Sequence, residues 1–185
     1  MRLISSLVIL CIAAFATPAR AVESKPFSIH DMLAMDRISN PQLSPDGDWI
    51  VFTLRKTDLE ENKGRTDLYL IDADGDNFRQ LTSHPENDSN PRWAPDSKTI
   101  YFISSRAETS QIWKIRIDGG EAQQITDLPL DVANLLVAPD GQHLAFTMNV
   151  FPAATPKETK EKLDEIEKQK AVSYTHLTLP TTPYV

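Results

Sequence analysis

The chain has 185 residues, 24% of them charged, and a formal net charge of −7 at neutral pH. That acidic balance excludes a nucleic-acid reader, which needs a clustered basic face. The length allows one domain, and the single cysteine, Cys11, excludes a disulfide-stapled scaffold.

The first residues read as a leader. Met1-Arg2 is a short basic start, Leu3 to Phe15 is an almost continuous apolar run, and Ala19-Arg20-Ala21 is a small-x-small cleavage site. Residues 1–21 are therefore expected to be a secretory signal peptide, cut between Ala21 and Val22. The run is shorter than the about 20 residues a spanning helix needs, so no stable membrane anchor is expected. Leu10 before Cys11 is not the small residue of a lipoprotein cleavage site. The expected location is exported, periplasmic or extracellular. With Cys11 in the leader, the mature chain is held by its core alone.

Residues 22–38 form an expected helical lead-in, with a helix over Phe27 to Ile38. Ser28 and Asp31 carry the spacing of a capping box. Three similar stretches follow. Asn40-Pro41-Gln42-Leu43-Ser44-Pro45-Asp46-Gly47 is answered by Asn90-Pro91-Arg92-Trp93-Ala94-Pro95-Asp96-Ser97 and by Asn134-Leu135-Leu136-Val137-Ala138-Pro139-Asp140-Gly141. The prolines recur every 44–50 residues or so, about the length of one propeller blade. In each, proline presets φ, aspartate bonds back to the backbone and glycine accepts positive φ.

Blade one is expected to have a short inner strand over Pro41 to Ser44 with Leu43 inward. A second strand covers Trp49 to Leu54, a charged excursion Arg55 to Thr66, a third strand Asp67 to Asp72 and an outer strand Phe78 to Thr82. Blade two repeats this with strands Thr99 to Ser104, Gln111 to Ile117 and Ala122 to Thr126, and with Trp93 in the place of Leu43. Blade three starts at Asn134 to Ala138 and runs His143 to Met148 before breaking off. The fold class is thus all-β: a partial propeller of about three blades over 39–152, the third incomplete, with a helix at each end. An open arc of this kind exposes an edge strand and a cut blade interface, which predicts poor stability.

Residues 153–171 read as a charged helical insertion. Glu158 with Lys162 and Asp164 with Lys168 are helix-favouring i,i+4 pairs. Residues 172–185 contain no Asp, Glu, Lys or Arg. Val172-Ser173-Tyr174-Thr175-His176-Leu177 resembles one frame of a transposase-type sequencing adapter. The natural sequence is therefore expected to end near Ala171, with 172–185 as read-through.

Catalytic chemistry is sparse. No Gly-x-Ser-x-Gly elbow occurs, and His30, His84, His143 and His176 are not spaced as zinc ligands. No metal and no cofactor is expected. Asp46, Asp96 and Asp140 recur at one blade position. One site does not need three copies and three turns do, so Pro45, Asp46, Gly47, Pro95, Asp96, Pro139, Asp140 and Gly141 are read as turn residues. Glu60 and Glu61 are adjacent carboxylates that could hold a peptide's terminal ammonium; the competing reading is a solvated acidic loop beside Lys63 and Arg65.

Phe27 to Phe52, FSIHDMLAMDRISNPQLSPDGDWIVF, resembles the mature start of exported peptidases of the prolyl oligopeptidase family, in their acylaminoacyl-peptidase and dipeptidyl-peptidase branch. Glu60-Glu61-Asn62-Lys63 with Thr66 to Leu70, and the Lys157 to Lys170 region, extend the likeness. The resemblance implies a propeller that restricts entry of short peptides to a C-terminal hydrolase domain bearing a Ser-Asp-His triad. None of the triad positions is present, so no catalytic residue is assigned and the segment alone is expected to be inactive. Its implied partners are short peptides, met through the full-length protein, and its own hydrolase domain. A non-enzymatic periplasmic propeller of the Tol type uses the same turns and is the alternative.

Overall fold

The computed structural model describes residues 26–175. Ala21, Val22 and His176 lie outside them. Helix α1 covers Ile29–Ala34, and its start is set by the capping box read from sequence. The Ser28 amide donates to the Asp31 carboxylate at 2.8 Å while the Asp31 amide donates to Ser28 Oγ at 3.2 Å. The helix is shorter than expected. Arg37 and Ile38 already pair with Arg55 and Leu54, so the strand ladder claims the residues that helical periodicity had assigned to α1.

Strands β1 (Arg37–Leu43), β2 (Trp49–Asp58), β3 (Lys63–Asp72) and β4 (Arg79–Gln80) form one four-stranded antiparallel sheet. Strands β5 (Asp88–Trp93), β6 (Thr99–Ser104), β7 (Gln111–Arg116) and β8 (Gln123–Gln124) form a second. Strands β9 (Ala133–Val137) and β10 (Leu144–Thr147) form a two-stranded third. These are two complete blades and the opening of another. Helix α2, Pro156–Thr175, follows and runs past the expected end of the insertion at Ala171.

Two expectations for blade one are corrected. Arg55 to Thr66 is not a loop. β2 and β3 stay paired out to Asp58 and Lys63, which makes a hairpin arm whose tip is residues 59–62. Leu43 does not point inward: it is 60% exposed, whereas Trp93 at the same place in blade two is 8% exposed. The outer strands are also shorter than read, at Arg79–Gln80 and Gln123–Gln124.

The main core lies between blades one and two. Val51, Leu68 and Leu70 of the first meet Trp93, Ile100, Phe102 and Ile115 of the second. A second cluster joins Ile103 and Ile112 to Val132 and Leu135 of the third blade. A strand alternates its side chains between faces, so each middle strand feeds two cores. Ile50, Phe52, Leu54, Tyr69 and Ile71 make a separate cluster on the other face of blade one.

Candidate functional site

The recurrent turns are the first candidates, and their geometry is structural. Asp46 Oδ1 accepts from the Asp48 amide at 3.2 Å and from Ser44 Oγ at 2.5 Å. Asp96 Oδ1 accepts from the Lys98 and Thr99 amides at 2.9 and 2.8 Å. Asp140 Oδ1 accepts from the Gln142 amide at 2.9 Å, and Oδ2 lies 2.7 Å from His143 Nδ1. Each carboxylate closes its own turn. The Ser44 hydroxyl, followed by the Asp48 amide, lowers the Asp46 pKa. The Gln142 amide and then His143 lower that of Asp140. Burial pushes Asp96 up, but its amide and hydroxyl donors together leave it lowered. Groups held ionised by their own backbone are poor proton shuttles.

Gly47 and Gly141 have φ of +85° and +67°, as the turn requires. Ser97 fills the same place in blade two at φ +54°. Its hydroxyl accepts from the Asp46 amide at 3.1 Å and so ties one blade's turn to the next.

Glu60 and Glu61 sit at the tip of the hairpin arm. Both amides donate to Asp58 Oδ1 at 3.0 Å, which forms the turn. The Glu61 carboxylate pairs with Arg65 Nη2 at 3.0 Å, with both side chains about half exposed. Glu60 is exposed.

Three features escaped the sequence reading. The first is the role of the repeated asparagines. Asn40, Asn90 and Asn134 adopt φ of 51°, 54° and 52°, each in the first strand of its sheet. The β1–β2 and β5–β6 registers slip next to them, between Ser39 and Gln42 and between Ser89 and Arg92. Asparagine is among the few residues that tolerate the left-handed region, so these positions mark recurrent bulges.

The second is a repeated threonine clasp. Thr82 Oγ1 accepts from the Leu68 amide at 3.0 Å and donates to Asp67, and Thr126 Oγ1 accepts from the Ile112 amide at 2.9 Å and donates to Gln111. The shared Leu81-Thr82 and Ile125-Thr126 pattern was the available signal.

The third is a buried ion pair. Asp88 is fully buried and accepts from Arg106 Nη2 at 2.5 Å. The guanidinium also lies 5.7 Å from the Phe102 ring centroid and 5.4 Å from that of Trp113. Asp67 of blade one stands close enough that burial, followed by the Asp88 charge, raises its pKa. A cleft beside this pair is lined by Thr82, His84, Arg106 and Glu121. His84 Nδ1 accepts from the Glu86 amide, so its ring is tied into its own loop. Among the described residues no group of three or more His, Cys, Asp or Glu could hold a metal. No helix among them is long and apolar enough to cross a membrane.

Two complete blades, a third begun, and turns without a catalytic constellation define a β-propeller segment. The TolB beta propeller domain model matches residues 32–168, and the chain belongs to that family. A dipeptidyl-peptidase 5 of Porphyromonas endodontalis is 28% identical over 137 residues, which is 74% of this chain and 19% of the relative. A Tol-Pal system protein TolB of Bordetella pertussis is 38% identical over 56 residues, 30% of this chain and 13% of the relative. The solved acylaminoacyl peptidase of Pyrococcus horikoshii superposes with a TM-score of 0.50 at 21% identity, covering 61% of this chain and 17% of that one. The chain thus spans about a fifth of the length of its dipeptidyl-peptidase relative. The propeller resemblance to the prolyl oligopeptidase family, read from Phe27 to Phe52, holds.

Proposed function

We propose that this chain is the opening part of the propeller of an exported serine-type peptidase that hydrolyses short peptides, of the acylaminoacyl- or dipeptidyl-peptidase type. The observation that carries the reading is the similarity to a dipeptidyl-peptidase across 74% of the chain, from a chain that is mostly propeller. In this reading the propeller limits which peptides reach a hydrolase domain encoded further along. Residues 1–21 are the leader, cut between Ala21 and Val22, and natural sequence gives way to read-through after Ala171. Glu60 remains the carboxylate available to a peptide ammonium, since Glu61 is engaged with Arg65.

The test is the complete gene. Its product, purified from the periplasm, is expected to cleave dipeptidyl or acylaminoacyl chromogenic amides. A fluorophosphonate should label a serine within a Gly-x-Ser-x-Gly sequence. The short, 38% identical stretch shared with a TolB favours a second reading, a non-enzymatic Tol-type propeller. A complete frame that lacks the serine motif and leaves every such amide intact would establish that reading and remove the first.

A further inference from the structure

Four turns, 44–47, 72–75, 116–119 and 138–141, share one backbone plan with aspartate third and glycine fourth. In each, the glycine amide donates to the carbonyl of the first residue, at 3.0, 3.1, 3.4 and 2.9 Å in chain order. All four aspartates are exposed. An Asp-Gly pair carries a reaction of its own. The glycine nitrogen can attack the aspartate Cγ, because the ring that closes is five-membered and glycine has no side chain to obstruct it. The attack needs the neutral acid, since an ionised carboxylate is a poor electrophile. It also needs the glycine amide to leave its carbonyl partner, a step the four turns share. What separates them is the restraint on each carboxyl group.

Three of the carboxylates are tied down. Asp46 is held by the Ser44 hydroxyl and the Asp48 amide, and Asp140 by the Gln142 amide and His143. Asp118 is held by the Arg116 fork, Nε to Oδ1 at 2.9 Å and Nη2 to Oδ2 at 2.5 Å. Hydrogen bonds to the charged form also keep a carboxyl ionised. Arg116 lowers the Asp118 pKa, as Ser44 lowers that of Asp46 and the Gln142 amide that of Asp140. Asp74 differs. The amide two residues on, which bonds Asp46 and Asp140 in their turns, is taken here by another side chain. The Asp76 amide donates to Asp72 Oδ1 at 2.6 Å, and Asn77 Nδ2 donates to Asp72 Oδ2 at 2.7 Å. Among the described residues nothing donates to the Asp74 carboxylate. A Cβ placed on Gly75 would meet nothing within 4 Å, so a ring has room to form. The same holds at Gly47 and Gly119, so restraint rather than space distinguishes Asp74.

We propose that Asp74-Gly75, in the turn between β3 and β4, is a site of spontaneous isoaspartate formation. The Gly75 nitrogen bonds to Asp74 Cγ, and the amide proton and the carboxyl hydroxyl leave together as water, which gives a succinimide. Water then adds to one of the two ring carbonyls. Addition at Cγ restores aspartate. Addition at the main-chain carbonyl leaves the chain running through Cγ with a free α-carboxylate, and the mass is unchanged overall. The product lengthens the main chain by one methylene in the link that returns β4 to β3, where Tyr69 pairs with Gln80 and Leu70 with Arg79. It also presents an exposed α-carboxylate, the group on which an isoaspartyl-directed carboxyl methyltransferase acts. The chemistry is local to the turn, so it stands whether or not the full protein is a peptidase.

The experiment ages the full-length protein at neutral pH and physiological temperature. Isoaspartate is then counted by methylation with an isoaspartyl methyltransferase and a labelled methyl donor, and each site is assigned by electron-transfer fragmentation of its peptides. Asp74 is expected to convert about fivefold or more faster than Asp46, Asp118 or Asp140, the factor that one missing hydrogen bond supplies. Asp74→Glu should abolish the signal from its peptide, because the corresponding ring is six-membered and closes far more slowly. Arg116→Gln, a change at an exposed side chain, should raise the Asp118 rate toward that of Asp74 and leave Asp74 unchanged. Conversion at Asp46, Asp118 or Asp140 as fast as at Asp74 overturns the proposal. So does a signal that persists in Asp74→Glu, or an Asp118 rate that Arg116→Gln leaves unaltered.

Discussion

At the residue scale, polar groups of the turns and strands join the blades. Trp93 Nε1 donates to the Gln42 carbonyl at 3.0 Å across the boundary between blades one and two. Trp93→Phe keeps an aromatic body in that core and removes the donor. Its expected cost is about 1 kcal/mol, the usual net worth of one hydrogen bond, read from the urea midpoint of the full-length protein at unchanged m-value. The turn aspartates make the same residues pH-sensitive. Asp46, Asp96 and Asp140 have folded-state pKa values below the ordinary carboxylate range. The stability they contribute is therefore fully present above an unfolded pKa of about 3.9 and is lost as pH falls through the lower folded values. Asp67, raised by burial, acts in the opposite sense at higher pH: its burden grows as pH rises through its folded pKa. A urea-midpoint profile should drop steeply below about pH 4, and Asp96→Ala should make that drop shallower. An unchanged acid limb in Asp96→Ala removes the turn assignment.

At the element scale, the recurrent asparagine bulge sets the course of each first strand. Asn90 has φ +54° and pairs with no strand partner where the β5–β6 register slips. Asn90→Gly should change stability by less than about 0.5 kcal/mol, since glycine accepts this conformation. Asn90→Val should cost about 2 kcal/mol or more, because a β-branched residue is strained there. Equal effects of the two substitutions would show that the bulge is not conformationally selected. This contrast also explains what the sequence made legible. Pro-Asp-Gly turns are local chemistry, and Pro45, Asp96 and Gly141 could be read without knowing their neighbours. The Asn-Pro pairs were visible, but a residue before proline reads as extended, and only the register slip reveals the bulge. The hairpin arm is illegible in the sequence for a different reason. Lys56, Asp58, Lys63 and Arg65 show no apolar alternation because the arm has no core to face, yet Arg55↔Thr66 through Asp58↔Lys63 form an unbroken ladder. Leu43 reads as inward from its place on a short inner strand; burial there depends on a neighbouring blade, which no local pattern encodes. The candidate carboxylates were legible as residues, but the engagement of Glu61 with Arg65 needed the hairpin to bring them together.

At the scale of the whole molecule, the blades are joined by apolar faces, and a deeply buried charge pair within blade two stands at the boundary with blade one. Asp88 is fully buried, and Arg106 is 14% exposed, sandwiched near the Phe102 and Trp113 rings. Phe102 belongs to the core shared with blade one, and Asp67 across that boundary feels the Asp88 charge. Removing the cation leaves the buried Asp88 carboxylate without its ion-pair partner. Arg106→Met in the full-length protein is therefore expected to cost about 3–5 kcal/mol, the range for breaking one half of a buried pair. Arg106→Lys should restore little of it, because an ammonium cannot reproduce the planar fork that lies beside two rings while bonding Asp88. Pairing Arg106→Met with Asp88→Asn should recover most of the loss, since the uncompensated charge is gone. Chemical denaturation of Arg106→Met, Asp88→Asn and their double variant, compared with the parent as a cycle and with Arg106→Lys measured beside them, separates these effects. A loss below about 1 kcal/mol in Arg106→Met would mean that water screens the pair and that it adds little to the stability of blade two.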